Sequence, residues 1–126
     1  MSTFIDLQDG CSWWAANWAY DAVIEMIADE LTGSELETEL AVFLRTQTCT
    51  ECGPGLGSID LRELTEQCRI AFCESARRAL QTATTRGGSS WQQPEFFPKW
   101  LAKFEELVEM MDTAERDKPH IAEGLN

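Results

Sequence analysis

The spacing of the apolar residues most constrains the fold of this chain, because they recur every three or four positions in four separate segments. Turn-forming residues separate these segments from one another. A repeat of three or four positions is typical of an amphipathic helix that buries one face. We therefore predict helices over residues of about 12–31, 34–47, 60–83 and 97–114. The fold that these helices predict is an all-α, single-domain bundle of about four amphipathic helices.

Helix start and stop signals lie close to these limits. Gly33 follows the first apolar stripe and is predicted to end the first helix. Ser34 with Glu37, and Asp60 with Glu63, have the spacing of a capping box, in which two side chains satisfy free backbone N–H groups at a helix start. The second and third helices are therefore expected to begin at Ser34 and Asp60.

The length and composition of the chain fit a single packed domain. A chain of 126 residues is long enough to bury a core without disulfides or metals. Its apolar content of 44% and its five tryptophans indicate a packed globule, since disordered chains are poor in such residues. The periodicity is lost after Glu115. We predict one helical domain over residues 1–126, with a flexible tail at residues 116–126.

The chain is strongly acidic, with 22 acidic and 10 basic residues and a formal net charge of −12. Such a charge repels nucleic acids and anionic lipids and attracts basic proteins. We therefore predict a basic protein partner, with no direct nucleic-acid binding and no membrane binding. No apolar run reaches the ~18 residues of a membrane span, and no secretion signal is recognisable. Five cysteines leave one unpaired in any full disulfide scheme, which favours reduced thiols and a cytoplasmic location.

The Cys49-x-x-Cys52 motif raises the question of a metal site. A structural zinc ion needs four convergent ligands, and Cys68 and Cys73 are the candidates for the other two. Residues five apart on a helix point about 140° away from each other, so one ion would struggle to reach both. The single histidine, His120, lies in the predicted tail. We therefore predict packing or loop thiols, with no metal and no cofactor, and keep a zinc-stabilised domain as an alternative.

Other catalytic arrangements are equally sparse in this sequence. A redox pair usually begins a helix, whereas a glycine-rich segment follows Cys52. A serine or cysteine nucleophile has no positioned base when the one histidine lies in a tail. The segment GPGLGS lacks the lysine of a phosphate-binding loop, and the abundant carboxylates are expected to be solvated. We predict that the chain is not an enzyme.

The first predicted helix has an unusual second face. With its buried stripe on the opposite side, helical geometry brings together Trp14, Trp18, Asp21, Glu25 and Asp29. Tryptophan is common at binding hot spots, whereas a solvated helix face seldom carries two of them one turn apart. We predict that these five residues form a partner-binding surface.

Two simpler interpretations of the tryptophans remain open. They can fill the core of a small bundle, or another segment can fold over them. The long connection that contains Trp91 and the N-terminal residues 3–7 are both candidates for such a cover.

Elimination and charge lead to a functional class. A small acidic helical domain without a catalytic set is typical of an immunity protein or antitoxin that covers the basic active-site surface of a bacterial toxin. The alternative is a small regulatory or adaptor homodimer that associates through Ile70, Cys73 and Leu80, which lie off the main stripe of their helix.

Overall fold

A computed structural model of the chain describes residues 2–8, 10–52 and 58–117. Within these ranges, three strands form one sheet and five helices form the rest of the regular structure, apart from two single 3-10 turns. In chain order the elements are β1 Ser2–Gln8, β2 Cys11–Ala16, α1 Asn17–Glu30, α2 Glu35–Thr46, α3 Cys49–Cys52, β3 Ser58–Asp60, a 3-10 turn Leu61–Glu63, α4 Glu66–Arg86, a 3-10 turn Pro94–Phe96, and α5 Phe97–Asp117.

The prediction of an all-α bundle is wrong, because the chain also contains a mixed three-stranded sheet, two strands of which precede the first helix. The strand order is β2-β1-β3. The central strand β1 pairs antiparallel with β2 and parallel with β3, and Ile5 lies opposite Trp13 on one side and Ile59 on the other. All three of these side chains are buried. The protein is therefore a helix-dominated α+β domain with its sheet built on the N-terminal strand.

The first predicted helix, 12–31, begins too early. Residues 11–16 form β2, and the helix α1 starts at Asn17. Trp13 and Ala15 are buried whereas Trp14 and Ala16 are exposed, which is the alternation of a strand. The side-chain repeat here is two, so Trp13 and Trp14 point to opposite faces of the sheet.

A tight turn makes this hairpin possible. Gly10 has a φ of 76°, a left-handed conformation that glycine adopts without a steric penalty. An Asp-Gly pair between two segments of alternating burial is a strong signal for a hairpin. Along β1, Ile5 and Leu7 are buried while Phe4 and Asp6 are partly exposed, so the same alternation continues on the other side of the turn.

Trp13 fixes the hairpin to the last helix. Its side chain is fully buried, and its indole N–H donates a 2.9 Å hydrogen bond to the carbonyl oxygen of Lys103 in α5. The ammonium group of Lys103 lies 5.8 Å from the centre of the Trp13 ring, within the range of a cation–π contact. Trp13 is therefore the largest of the buried strand side chains that hold the sheet against the helical layer.

Helix α1 provides the centre of the core. The predicted stripe residues Tyr20, Ile24 and Ile27 are fully buried, and α1 packs against α2 and α4. The Tyr20 hydroxyl donates a 2.9 Å hydrogen bond to the carbonyl oxygen of Gln47, which ties the end of α2 to α1. The other buried residues of α1 are Ala19, Val23 and Ala28.

Three other helix limits differ from the predicted ones by three residues or more, including the end of α4, which is at Arg86 rather than residue 83. Thr65, not Asp60, caps α4, since its hydroxyl accepts a hydrogen bond from the N–H of Cys68. Asp60 instead ends β3 and caps the short 3-10 turn through the N–H of Arg62. Helix α5 continues to residue 117, three residues past the predicted end. Of the predicted tail 116–126, the part after residue 117 lies outside the described residues.

Trp13 and Trp14, which are neighbours on β2, are expected to contribute unequally to the free energy of unfolding. Replacing fully buried Trp13 with alanine leaves a large cavity, so we expect Trp13→Ala to lower the free energy of unfolding by about 3–5 kcal/mol. We expect Trp14→Ala to lower the free energy of unfolding by only about 1 kcal/mol, because it removes one half-exposed ring and its contact with Phe4. Urea unfolding followed by circular dichroism measures both values. Equal losses for the two variants would contradict the strand register.

An ion-pair cluster connects β1 to β3. The guanidinium of Arg62 lies 2.7 Å from one carboxylate oxygen of Asp60 and 3.8 Å from the carboxylate of Asp6 on the neighbouring strand. The Ser12 hydroxyl also donates to Asp6. The hydrogen bond from the Arg62 side chain lowers the pKa of Asp60, an effect that burial opposes.

The lowered pKa of Asp60 has a consequence for acid stability. The stabilisation is present above the carboxyl pKa of the unfolded chain and is lost as the pH falls through the lower pKa of the folded state. Between about pH 5 and pH 3 we expect the wild type to lose more stability than Arg62→Gln, in which Asp60 has no cationic partner. Urea midpoints across this range provide the measurement. If the urea midpoints of the wild type and of Arg62→Gln fall equally over this pH range, Arg62 does not stabilise the charged carboxylate of Asp60.

Candidate functional site

Trp14 and Trp18 are the largest exposed side chains at the junction of β2 and α1, with 54% and 50% of their surfaces exposed. Trp14 is exposed because the strand alternation turns it away from the core, and Trp18 because it lies in the first turn of α1. A groove of about 340 Å³ lies between them. Its other lining residues are Ala15, Ala16, Ala19, Lys99, Trp100 and Lys103.

Phe4 supports the first of these tryptophans. It lies directly opposite Trp14 in the β1–β2 register, and the two ring centres are 4.8 Å apart. This distance is typical of a favourable cross-strand aromatic pair. Trp14 is therefore held in place by the strand beside it while half of its surface remains exposed.

The connection between α4 and α5 supports the second tryptophan. The Trp18 ring lies 6.5 Å from the Trp91 ring and 6.1 Å from that of Phe96, measured between centres. Trp91 in turn packs on Trp100 at 5.1 Å. A Cβ at Gly88 would lie 2.5 Å from the Phe97 side chain, so the connection can approach the start of α5 only with glycine there.

These contacts form two aromatic groups, and the groove that Trp14 and Trp18 both line joins them. We use the term aromatic surface for Phe4, Trp14, Trp18, Trp91 and Phe96. Both segments that were considered as covers do contact the tryptophans, but they pack beside them. Trp14, Trp18 and Phe96, the last with 43% of its surface exposed, all remain accessible.

Asp21 has an internal role in the structure. Its carboxylate accepts hydrogen bonds from the backbone N–H groups of Cys49 and Thr50, at 2.7 and 3.0 Å, and from the Thr50 hydroxyl at 3.0 Å. These groups lie at the start of α3, whose first N–H groups have no partner within the helix. Asp21 therefore caps α3 and fixes that segment to α1.

Glu25 and Asp29 are also engaged within the chain. The Arg45 guanidinium, on α2, lies 3.4 Å from the carboxylate of Glu25 and 2.7 Å from that of Asp29. Neither acid lines the groove between the tryptophans. The structure thus places Trp14 and Trp18 at one groove, while Asp21, Glu25 and Asp29 continue the Trp18 face of α1 beyond that groove.

Basic residues occupy the position beside the tryptophans. Lys99 and Lys103 of α5 line the groove, and Lys103 also pairs with Glu106 at 2.6 Å. Sequence reasoning missed these lysines, together with Phe4 and Phe96, because all four come from segments distant in sequence. The Asp-Gly turn with its flanking alternation was the available signal for Phe4, since a hairpin brings it next to Trp14.

The cysteines have packing roles where the structure describes them. The Cys49 sulfur is buried 3.1 Å from the Thr3 hydroxyl, and Cys68 is half-buried. Burial raises the pKa of the Cys73 thiol to about 11. Over the described ranges, no three His, Cys, Asp or Glu side chains are grouped so that they could hold a metal ion. The side chain of Cys52 and all of His120 lie outside those ranges.

The residues that were considered for a homodimer differ in exposure. Ile70 is exposed, Leu80 is half-buried and Cys73 is buried. On α2, Val42 and Phe43 are also exposed. A dimer contact through α4 would therefore use Ile70 rather than Cys73.

Comparisons with protein-family models, with curated proteins and with solved structures gave no match to this chain. In the part of the chain that the structure describes, no helix has the length and apolarity needed to cross a membrane.

The different environments of the α1 acids give a second stability prediction. We expect Asp21→Ala to lower the free energy of unfolding by about 2 kcal/mol, because three donors at α3 lose a charged acceptor. Asp29→Ala breaks only an exposed ion pair and is expected to cost less than about 0.5 kcal/mol. Both are Asp→Ala changes on the same helix, so each controls for the other in urea unfolding. A larger loss of stability for Asp29→Ala than for Asp21→Ala would contradict the capping role of Asp21.

Proposed function

We propose that this chain is a non-catalytic protein-binding domain that contacts its partner through the aromatic surface. The most specific form of the proposal is a cytoplasmic immunity protein or antitoxin that neutralises a toxin by covering the toxin's basic active-site surface. The observation that carries it is the half exposure of Trp14 and Trp18 on either side of one groove.

The energetic argument begins with the tryptophan area that remains in contact with water. Burial of the exposed half of a tryptophan removes roughly 100 Å² from water, which corresponds to about 2 kcal/mol. A folded monomer gains nothing from leaving this area exposed, whereas a partner recovers it on binding. Tryptophans at the centre of an interface are frequent hot spots for the same reason.

The aromatic surface is also prepared for binding before a partner arrives. Phe4 holds Trp14 from the neighbouring strand, and Trp91 and Phe96 hold Trp18. Rings that are already confined lose less conformational entropy when they enter an interface. The alanines at the bottom of the groove, Ala15 and Ala16, leave space for a partner side chain between the two rings.

The charge of the whole chain favours a basic partner. With a net charge of −12, the protein attracts a basic surface over long range and accelerates association at low salt. The active sites of nucleases and other phosphate-processing toxins are basic, which makes them natural targets for an acidic inhibitor. Lys99 and Lys103 create a local exception, and we expect the partner to place an acidic or uncharged group against them.

A small regulatory or adaptor homodimer is the second candidate. The exposure of Val42, Phe43 and Ile70, which are apolar residues outside the aromatic surface, favours it. In that case the protein would associate with itself through α2 and α4 and would not require a basic partner.

The binding experiment compares two exposed positions of the aromatic surface with one exposed aromatic position outside it, in purified complexes. A partner captured from source-cell extract is purified, and its affinity is measured for the wild type, Trp14→Ala, Trp18→Ala and Phe43→Ala. About 2 kcal/mol corresponds to roughly thirtyfold weaker binding, which we expect for each tryptophan variant. Phe43, with 41% of its surface exposed, lies outside the aromatic surface and serves as the matched control.

Two results would contradict the proposal at different levels. Loss of binding in Phe43→Ala with full binding in the tryptophan variants would move the interface to α2. A partner that binds through the tryptophans but keeps its full activity at one equivalent of this protein would exclude neutralisation and leave only the binding function.

A further inference from the structure

A second cavity, of about 290 Å³, lies away from the tryptophan groove and shares none of its lining residues. It is enclosed by the end of β1, the 3-10 turn before α4, the first half of α4 and the last turns of α5. Its volume is close to the lower end of the range for small-molecule sites. The partner-binding proposal makes no use of this cavity.

The floor of this cavity is apolar and uncharged. Leu7, Leu61, Cys73 and Met111 line it, and all four are buried in the fold. The Cys73 thiol stays protonated at neutral pH, because burial raises its pKa to about 11. The floor therefore favours an apolar group over water or a polar one.

Two arginines line the cavity, and they differ in whether they form salt bridges with acidic residues. Arg62 is already held by Asp60 and Asp6. Arg69 also lines the cavity, and among the described residues its guanidinium forms no salt bridge. The charges of Arg77, Glu115, Arg69 and Asp112 all act on the Cys73 thiol, and of these four residues Glu115 and Arg69 line the cavity. Arg69 is therefore the group that is available to an anion.

We propose that this cavity binds a small organic monoanion, with an apolar chain on Leu7, Leu61 and Met111 and a single carboxylate on Arg69. The guanidinium fork matches the two oxygens of a carboxylate, and such charge-assisted pairs are among the stronger hydrogen bonds in proteins. Glu115 at the same cavity repels negative charge, which disfavours a phosphate dianion. Medium-chain fatty acids have this combination of an apolar tail and one negative charge.

The test uses octanoate as the probe and the whole chain as the protein. Octanoate is titrated into uniformly ¹⁵N-labelled protein, and the backbone amide shifts are followed by NMR. About 4 kcal/mol of binding free energy corresponds to a dissociation constant of about 1 mM, and we expect this affinity or better. The shifts are expected in residues 61–73 and 111–115. The uncharged analogue 1-octanol is expected to bind at least about tenfold more weakly.

Three variants determine which charge matters. Arg69→Gln is expected to weaken octanoate binding by at least about tenfold, and Glu115→Gln to strengthen it. Arg86→Gln, which removes an exposed charge at the far end of the same helix, is the matched control and is expected to leave the affinity unchanged. The amide spectrum of each variant shows whether it has kept the fold.

Several outcomes would overturn the proposal. One is the absence of amide shifts at an octanoate concentration about tenfold above the expected dissociation constant. The others are equal affinity for octanoate and 1-octanol, and an octanoate affinity that is unchanged in Arg69→Gln. Shifts centred on the aromatic surface would equally place the ligand elsewhere. None of these results bears on partner binding, because the experiment contains no partner and Trp14→Ala is expected to bind octanoate normally.

Discussion

The insertion of Trp13 between the hairpin and α5 is the contact on which the arrangement of this protein depends. The buried indole donates to a carbonyl oxygen of α5, and this fixes the position of β2 on the helical layer. Strand geometry then forces the next side chain, Trp14, to the opposite face. Since α1 begins only one residue after β2 ends, Trp18 follows on the same edge of the molecule. The burial of Trp13 thus determines the exposure of Trp14, and the adjacent helix start places Trp18 beside it.

The acidic character of the chain is divided between internal and external roles. Asp21, Glu25 and Asp29 are engaged with α3 and with Arg45, so they stabilise or orient the helices around α1. In the proposed function they add to the net charge that attracts a basic partner. We propose that the aromatic surface supplies the contact area and that the two lysines beside it restrict which groups a partner can place there. In this proposal, long-range attraction and short-range fit come from different parts of the fold.

Periodicity identified the buried side of α1 and the existence of the long helices, because Tyr20, Ile24 and Ile27 are spaced for one helix face and bury it. It failed at residues 12–16, where Trp13 and Tyr20 fit a helical repeat although Trp13 belongs to a strand. Pairing of β1 with β3 joins residues more than fifty positions apart, and no local pattern encodes such a contact. The exposure of Trp14 was expected from a helix but arises from a strand, whereas Trp18 and the acids Asp21, Glu25 and Asp29 do lie on one helix.

Hydrogen exchange of the tryptophan indole N–H groups distinguishes the buried tryptophans from those that form the aromatic surface. Each of the indoles gives its own NMR signal, and exchange is slow where the N–H is buried and hydrogen-bonded. We predict slow exchange for Trp13 and Trp100, which donate to the carbonyl oxygens of Lys103 and Ala19, and fast exchange for Trp14 and Trp18. Protection of Trp14 and Trp18 in the isolated protein would show that both are core residues, and the aromatic surface would then not exist.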